Sequence, residues 1–441
     1  MDKLFTKFKI AFRDIITTFR RRLRMKRKGI KEFFLIIRQP IYHRIALSRV
    51  KLKFRKNVKI KIVFVVIHSS VWKYDSVYNH FKNDSRFEPV IIICPVVNYG
   101  KDNMLQEMEL AYKQFRLKGF NVIKSYNSQT DGFMDINFEI KPDIIFFTNP
   151  HLLTLKQYYI TSFYKTLTCY VPYGFKNSYL YEDDFNKLFQ NLLWKFYLET
   201  EIHKKLAEKY SRIRGRNSIV TGFPGMEIVR PDTSVERIWK TRNQNIKRII
   251  WAPHHTIPGK GETLDFSTFL KYSDFMLELA EKYIGVVEIA FKPHPVLRPK
   301  LSLSNVWGKE KTEQYYKRWQ NLANGSVHEG DYVNLFYTSN AMMHDSSSFV
   351  VEYLYVGNPV LYLMSDENVT QRFNEVGKMA FTTFYIARNR SDIETFIQDV
   401  VIKGNDRLKP LRLDFYNQYL IPPNNNLASV NIYQDIINSL S

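Results

Sequence analysis

From Leu4 the apolar residues Leu4, Phe8, Ala11, Phe12, Ile15, Phe19 and Leu23 recur every three or four positions, which predicts a helix with one apolar face. Arg13, Arg20 and Arg24 fall on its opposite face. A basic run from Arg20 to Lys28 follows, then a second apolar group from Phe33 to Ile37. Beyond this arm the pattern changes to short β-branched or aromatic runs separated by stretches of helical periodicity, the signature of repeated βα units around a parallel sheet. Runs at 60–67, 90–94, 122–124, 144–147, 167–171, 194–198 and 219–221 predict one set of strands. Runs at 249–252, 286–291, 341–343 and 360–363 predict a second, with helices between them such as 266–283 and 347–355. The expectation is an α/β protein of two doubly wound lobes behind an N-terminal basic amphipathic helical arm. The arm is placed at 1–57, the first lobe at 58–228, the second at 229–415, and a C-terminal helical segment packing back on the lobes at 416–441. Ligands in such a fold bind in the cleft at the carboxyl ends of the strands.

Composition narrows the class. With 45% hydrophobic and 15% aromatic residues, the chain can bury a large core and is not disordered. Two cysteines, Cys94 and Cys169, each in an apolar run, exclude a disulfide framework and a cysteine-rich zinc site, and read as reduced thiols of a cytosolic compartment. No apolar stretch approaches the roughly 18 residues of a spanning helix, and the start of the chain does not read as a secretory signal. Of the net charge of +22, residues 1–60 hold +17, from 20 basic and 3 acidic side chains, and the rest of the chain only +5. The basic charge therefore belongs to the arm. An apolar face bordered by Arg and Lys suits the interface of an anionic membrane, where each basic residue adds about 1 kcal/mol. The expected partner of residues 1–57 is thus an anionic membrane surface. Nucleic acid is not expected, because no RNA or DNA module accompanies the charge.

What the cleft binds is bounded first by absence. No G-x-G-x-x-G follows the first strand and no phosphate-binding G-x-x-x-x-G-K-[ST] occurs, which removes the main support for dinucleotide oxidoreduction and P-loop chemistry. No D-x-D suited to a divalent ion is present, and Asp183 with Asp184 is a poor substitute; neither metal nor cofactor is expected. A diphosphate must then be met by helix N-termini, cations, imidazoles and hydroxyls. Three segments at successive strand ends of the second lobe supply these. "WAPHH" brings Pro253, His254 and His255, followed by a loop with Gly259 and Gly261; "FKPHPVLR" brings Lys292, His294 and Arg298; "MMHDSSSFVVEYL" brings Asp345, Ser346, Ser347 and Ser348 at a helix start, with Glu352 further along for ribose hydroxyls. Each segment alone has an ordinary structural explanation, such as helix capping by Asp345 or Ser346. Three together at one end of one sheet favour a ligand site.

These segments, over about residues 230 to 365, resemble the C-terminal half of CDP-glycerol glycerophosphotransferases, the teichoic-acid polymerase family. The resemblance implies a GT-B fold of two Rossmann-like lobes and a nucleotide-diphosphate site at His294 and Pro295 and at Asp345 through Ser348, with a G-x-P element at Gly222, Phe223 and Pro224. It implies transfer of glycerol phosphate, or a similar polyol phosphate, from a CDP-activated donor to a lipid-linked or polymer acceptor, at the cytoplasmic face of a bacterial membrane. Where the family presents a His-Gly pair toward the acceptor, this chain has Tyr173 and Gly174. Tyrosine, with an ordinary pKa of about 10, is a poor base, so the base falls to His68, His254 or His255. The alternative reading keeps the fold and makes the enzyme a glycosyltransferase using a nucleotide sugar in capsule or O-antigen synthesis; a third makes it a non-catalytic membrane scaffold.

Overall fold

The computed structural model describes residues 2–98, 100–227, 238–257, 265–330 and 332–441, with side chains of the first helix from Gly29 onward. The apolar positions from Leu4 to Leu23 and the Gly259 to Gly261 loop lie outside the described side chains and residues.

Two all-parallel sheets form. The first contains β1 (Ile60–Val66), β2 (Phe87–Ile93), β3 (Val122–Lys124), β6 (Ile144–Phe147), β7 (Leu167–Tyr170), β8 (Lys195–Leu198) and β9 (Ser218–Val220), in the order β3-β2-β1-β6-β7-β8-β9. Strands β4 (Tyr126–Asn127) and β5 (Gly132–Phe133) make a separate antiparallel ribbon. The second sheet contains β10 (Lys247–Ala252), β11 (Val287–Phe291), β12 (Gly325–Val327), β13 (Ala341–His344), β14 (Val360–Leu363) and β15 (Tyr385–Ala387), in the order β12-β11-β10-β13-β14-β15. The order reverses between β1 and β6 and again between β10 and β13, and a doubly wound sheet opens its ligand crevice at such a switch point.

The continuous apolar runs follow from burial on both faces. In β1, Ile62, Phe64 and Val66 enter one core while Val63 and Val65 enter another on the opposite side. In β10, Ile249 and Trp251 are divided in the same way from Ile250 and Ala252. The strands β12 and β15 have no counterpart among the predicted runs. Each is a three-residue edge strand of the second sheet.

The first helix, α1 (Asp2–Arg55), is continuous. Its described part is built into the first lobe: Ile36, Ala46 and Val50 are buried, and the buried Gln39 bonds His43 at 2.8 Å and the Tyr164 carbonyl at 3.1 Å. Ile30, Phe33, Phe34, Ile37, Ile41 and Ile45 are each more than half exposed. At about 100° per residue they form one stripe opposite the buried face, flanked on one side by Lys31, Arg38 and Arg49, with Arg44 inside it.

The C-terminal helix Ala428–Leu440 returns to the first lobe and places Ile432, Ile436 and Leu440 in the same core as Ala46 and Val50. Asp435 pairs with Lys195 at 2.6 Å and accepts from the Tyr197 hydroxyl at 2.9 Å. On its way back the chain crosses Gly222, whose φ is +89° and where a Cβ would lie 2.6 Å from Pro422. Only glycine fits both the backbone angle and the gap. Gly222→Ala is therefore expected to cost on the order of 2–4 kcal/mol from strain and overlap, read as a lower urea midpoint with an unchanged m-value.

Candidate active site

The ends of β10 and β11 bring three imidazoles together. The ring of His255 lies 4.2 Å from that of His254 and 4.3 Å from that of His294, centroid to centroid. The backbone fixes this arrangement, because the His294 N–H donates to the Pro253 carbonyl at 3.2 Å and the Lys292 N–H to the Trp251 carbonyl at 2.8 Å. Lys300 approaches from the helix Leu297–Ser302, its Nζ 3.0 Å from His255 Nδ1. Lys292 is buried, 5.8 Å from the Tyr332 ring centroid. Burial foremost, then the neighbouring imidazoles and lysines, holds His254 far below the ordinary histidine range and His294 down to about 3. His254 and His294 are thus neutral imidazoles beside the lysine side chains, an environment that an anion would complement.

Next to it the lobes are joined. Lys73, in the loop after β1, donates to the Tyr332 hydroxyl at 2.6 Å and sits 4.1 Å from that ring's centroid. Tyr332 in turn donates to Glu352 Oε2, and Glu352 Oε1 accepts from the Phe175 N–H at 3.2 Å. Burial raises the Glu352 carboxyl, while Lys73, Tyr332 and the Phe175 N–H pull the other way. Beside this chain Asn177 and Ser347 exchange two bonds: Asn177 Nδ2 donates to the Ser347 carbonyl at 2.6 Å and Ser347 Oγ to Asn177 Oδ1 at 2.9 Å. A Cβ on Gly174 would lie 3.5 Å from Glu352 Oε1 and 3.8 Å from Ser348 Cβ. The loop after β7 is thereby pressed against the serine segment of the second lobe.

The expected site residues separate into groups. His254, His255, His294 and Lys292 share one cluster, and Tyr173, Gly174, Ser347, Ser348 and Glu352 meet at the seam. Glu352, expected on a ribose, is fully buried with both oxygens engaged inside the seam. Asp345 is an internal brace: it accepts from the His254 N–H at 2.5 Å and from the Thr268 N–H and hydroxyl at 2.5 and 2.7 Å. Burial lifts its pKa to about 6. Ser346 is buried beside it in sequence, and its carbonyl lies 3.2 Å from His344 Nδ1. Arg298 is held by Glu313 and reaches Glu329 at 3.4 Å. His68 lies at the end of β1, with Glu107 the charged group that counters its burial. Gly222 stands against Pro422.

One residue absent from the expected set is His151, in the turn after β6. Its Nε2 lies 3.2 Å from the Tyr173 hydroxyl, and burial holds its pKa below the ordinary value. Its sequence signal, a histidine four residues after the end of β6, is weaker than that of His68, two residues after the end of β1. Among the described residues no group of His, Cys, Asp and Glu suits a metal ion.

Two doubly wound lobes with a basic cluster at the strand ends of the second and a tight seam beside it define the GT-B arrangement. No family model and no curated protein sequence matches the chain. Among solved structures it is similar to the wall teichoic acid polymerase TagF, with a TM-score of 0.54 and 14% identity over 93% of this chain and 98% of that one. MnaA of S. aureus, solved with UDP, gives a TM-score of 0.51 and 15% identity over 86% and 97%. The UDP-GlcNAc 2-epimerase of Neisseria meningitidis, solved with UDP-GlcNAc, gives 0.51 and 16% over 86% and 100%. What the chain shares with all three is the fold that the sequence resemblance implied.

An anion placed beside His254 and His294 raises their pKa values toward the ordinary one. Binding is then linked to proton uptake and tightens as pH falls. Inorganic pyrophosphate is expected to bind several-fold more tightly at pH 5.5 than at pH 7.5, with protons taken up, as titration calorimetry in buffers of different ionisation enthalpy would read.

Proposed function

We propose that the protein is a peripheral membrane transferase that moves glycerol phosphate, or a similar polyol phosphate, from a CDP-activated donor to a hydroxyl of a lipid-linked or cell-surface polymer acceptor. The observation that carries this reading is the convergence of Lys292, Lys300, His255 and the neutral imidazoles of His254 and His294 at the ends of β10 and β11, with Lys73 reaching the same region from the first lobe. Phosphoryl transfer asks for such fixed positive groups, since its charge shifts onto the leaving nucleotide. In this reading the acceptor oxygen attacks the β-phosphorus, the bond to CMP breaks, and CMP departs with the electron pair. Lys292, Lys300, His255 and His294 hold the diphosphate, and Lys73 joins them when the lobes are closed. The shared fold with the polymerase TagF supports this choice of reaction.

A second reading, a glycosyltransferase attacking the anomeric carbon of a nucleotide sugar, is favoured by the fold shared with proteins solved with UDP and UDP-GlcNAc. Incubation with CDP-glycerol and a panel of nucleotide sugars separates the two by the nucleotide released. CMP release from CDP-glycerol is expected, and Lys292→Ala is expected to lower kcat about 10²- to 10³-fold, the usual loss for one electrostatic contact to the transition state. Release of UDP alone would establish the second reading.

The membrane part of the proposal rests on α1. Its exposed apolar stripe, with Lys31, Arg38 and Arg49 along one border and Arg44 within it, matches a helix lying in a lipid interface, and none of the described helices is long and apolar enough to cross a membrane. Replacing Phe34 and Ile41 with Glu is expected to abolish flotation with phosphatidylglycerol vesicles without lowering thermal stability, because both side chains already face outward.

A further inference from the structure

The amino ends of the first sheet, away from the crevice where a doubly wound fold takes its ligands, carry a concentration of charge of their own. A cavity of about 560 Å³ opens there between α1 and the turns that lead into β6 and β7. Arg49 and Lys53 line it from α1, Lys141 from the turn before β6 and Lys165 from the turn before β7. Asp143 is the one acidic lining residue, and it is buried and engaged: Lys53 Nζ lies 2.8 Å from both its oxygens, and the Lys61 N–H donates to it at 3.0 Å. Arg49 donates to the Lys165 carbonyl at 3.3 Å, which ties α1 to the turn before β7. Among the described residues no carboxylate pairs with Arg49, Lys141 or Lys165. Three cations thus line one cavity with no anion of the protein to balance them.

The cavity also continues the edge of the exposed apolar stripe of α1. Arg49 belongs to both. Arg38, on the same border of the stripe, lies 5.7 Å from the ring centroid of Tyr42 and 5.5 Å from that of Tyr164, a lining residue. Between the lining residues Asn137 and Lys141, Phe138 is 74% exposed, and Lys141 Nζ lies 5.8 Å from its ring centroid. Cations without a carboxylate call for a phosphate, and exposed apolar side chains bordered by basic ones call for the boundary of headgroup and acyl chain. A free phosphate ester answers only the first. An anionic glycerophospholipid answers both.

We infer that this cavity holds the phosphate of an anionic glycerophospholipid among Arg49, Lys141 and Lys165, with the acyl chains running beside the stripe of α1. The inference rests on the membrane part of the proposed function and deepens it, naming the lipid class and the face of the first lobe that meets the bilayer. The ligand crevice lies at the other end of the same sheet, so a lipid bound here orients the protein on the surface without filling the site of transfer.

The test uses the full-length protein and monomeric dihexanoyl-phosphatidylglycerol, below its micelle concentration, titrated by calorimetry. Saturable binding is expected, and Lys141→Asn and Lys165→Gln are each expected to weaken it about five-fold, the effect of one basic residue beside anionic lipid. Asparagine tolerates the φ of +55° at position 141, and Lys165 is exposed, so unchanged melting temperatures are expected and either variant alone decides the matter. Lys292→Ala, in the second-lobe cluster, is expected to leave lipid binding unchanged. No saturable binding, equal binding of dihexanoyl-phosphatidylcholine, or a loss in Lys292→Ala instead of the two cavity variants overturns the inference. Glycerol 1-phosphate that binds as tightly, and loses as much in the cavity variants, would make the cavity a site for free phosphate esters and overturn the lipid assignment. Failure of the wild type to float with phosphatidylglycerol vesicles would overturn the membrane reading and this inference with it. Flotation together with short-chain lipid binding that neither cavity variant weakens overturns this inference alone.

Discussion

The functional arrangement depends on one contact between lobes, the docking of the loop after β7 on the second sheet's serine segment. Asn177 and Ser347 exchange two hydrogen bonds there, and the Asn374 side chain donates to the Lys176 carbonyl at 2.9 Å while its N–H donates to the Asn177 carbonyl at 2.8 Å. Amide and hydroxyl partners are directional, so at this partly buried seam they fix the register of one lobe on the other more sharply than apolar packing would. Everything that the site needs from both lobes follows from that register. Lys73 reaches Tyr332, and Tyr173 is carried to the edge of the serine segment.

A second layer of polar burial holds the cluster itself. Asp345 joins the end of β10 to the start of the helix Phe269–Lys282 through three accepted bonds. Its carboxylate is a positioning element for His254, which explains why an acidic residue is tolerated in a pocket otherwise suited to anions. The raised pKa of Asp345 and the depressed values of the imidazoles have the same origin, since burial disfavours whichever form is charged.

The two lobes, their order in the chain and the cluster at His254, His255 and His294 were legible in the sequence because long apolar runs and strand-end motifs are local signals. The edge strands β12 and β15 were not. The placement of Arg298 on Glu313, of Gly222 against Pro422 and of Asp345 under His254 depends on partners 15, 200 and 91 positions away, which no local pattern encodes. His151 was missed for the same reason: its contact is with Tyr173, in the loop after the neighbouring strand β7. In α1 the apolar group from Phe33 to Ile37 was recognised, but its division into an inner and an outer face needed the lobe beneath it.

The return of the C-terminal helix has a bearing on how the protein is made. Ile432, Ile436 and Leu440 complete a core whose other members were translated hundreds of residues earlier. On the ribosome the first lobe must therefore keep an apolar groove open until the helix Ala428–Leu440 has been made, and contacts of such long sequence separation form slowly. Completion of the first lobe is thus coupled to synthesis of the second.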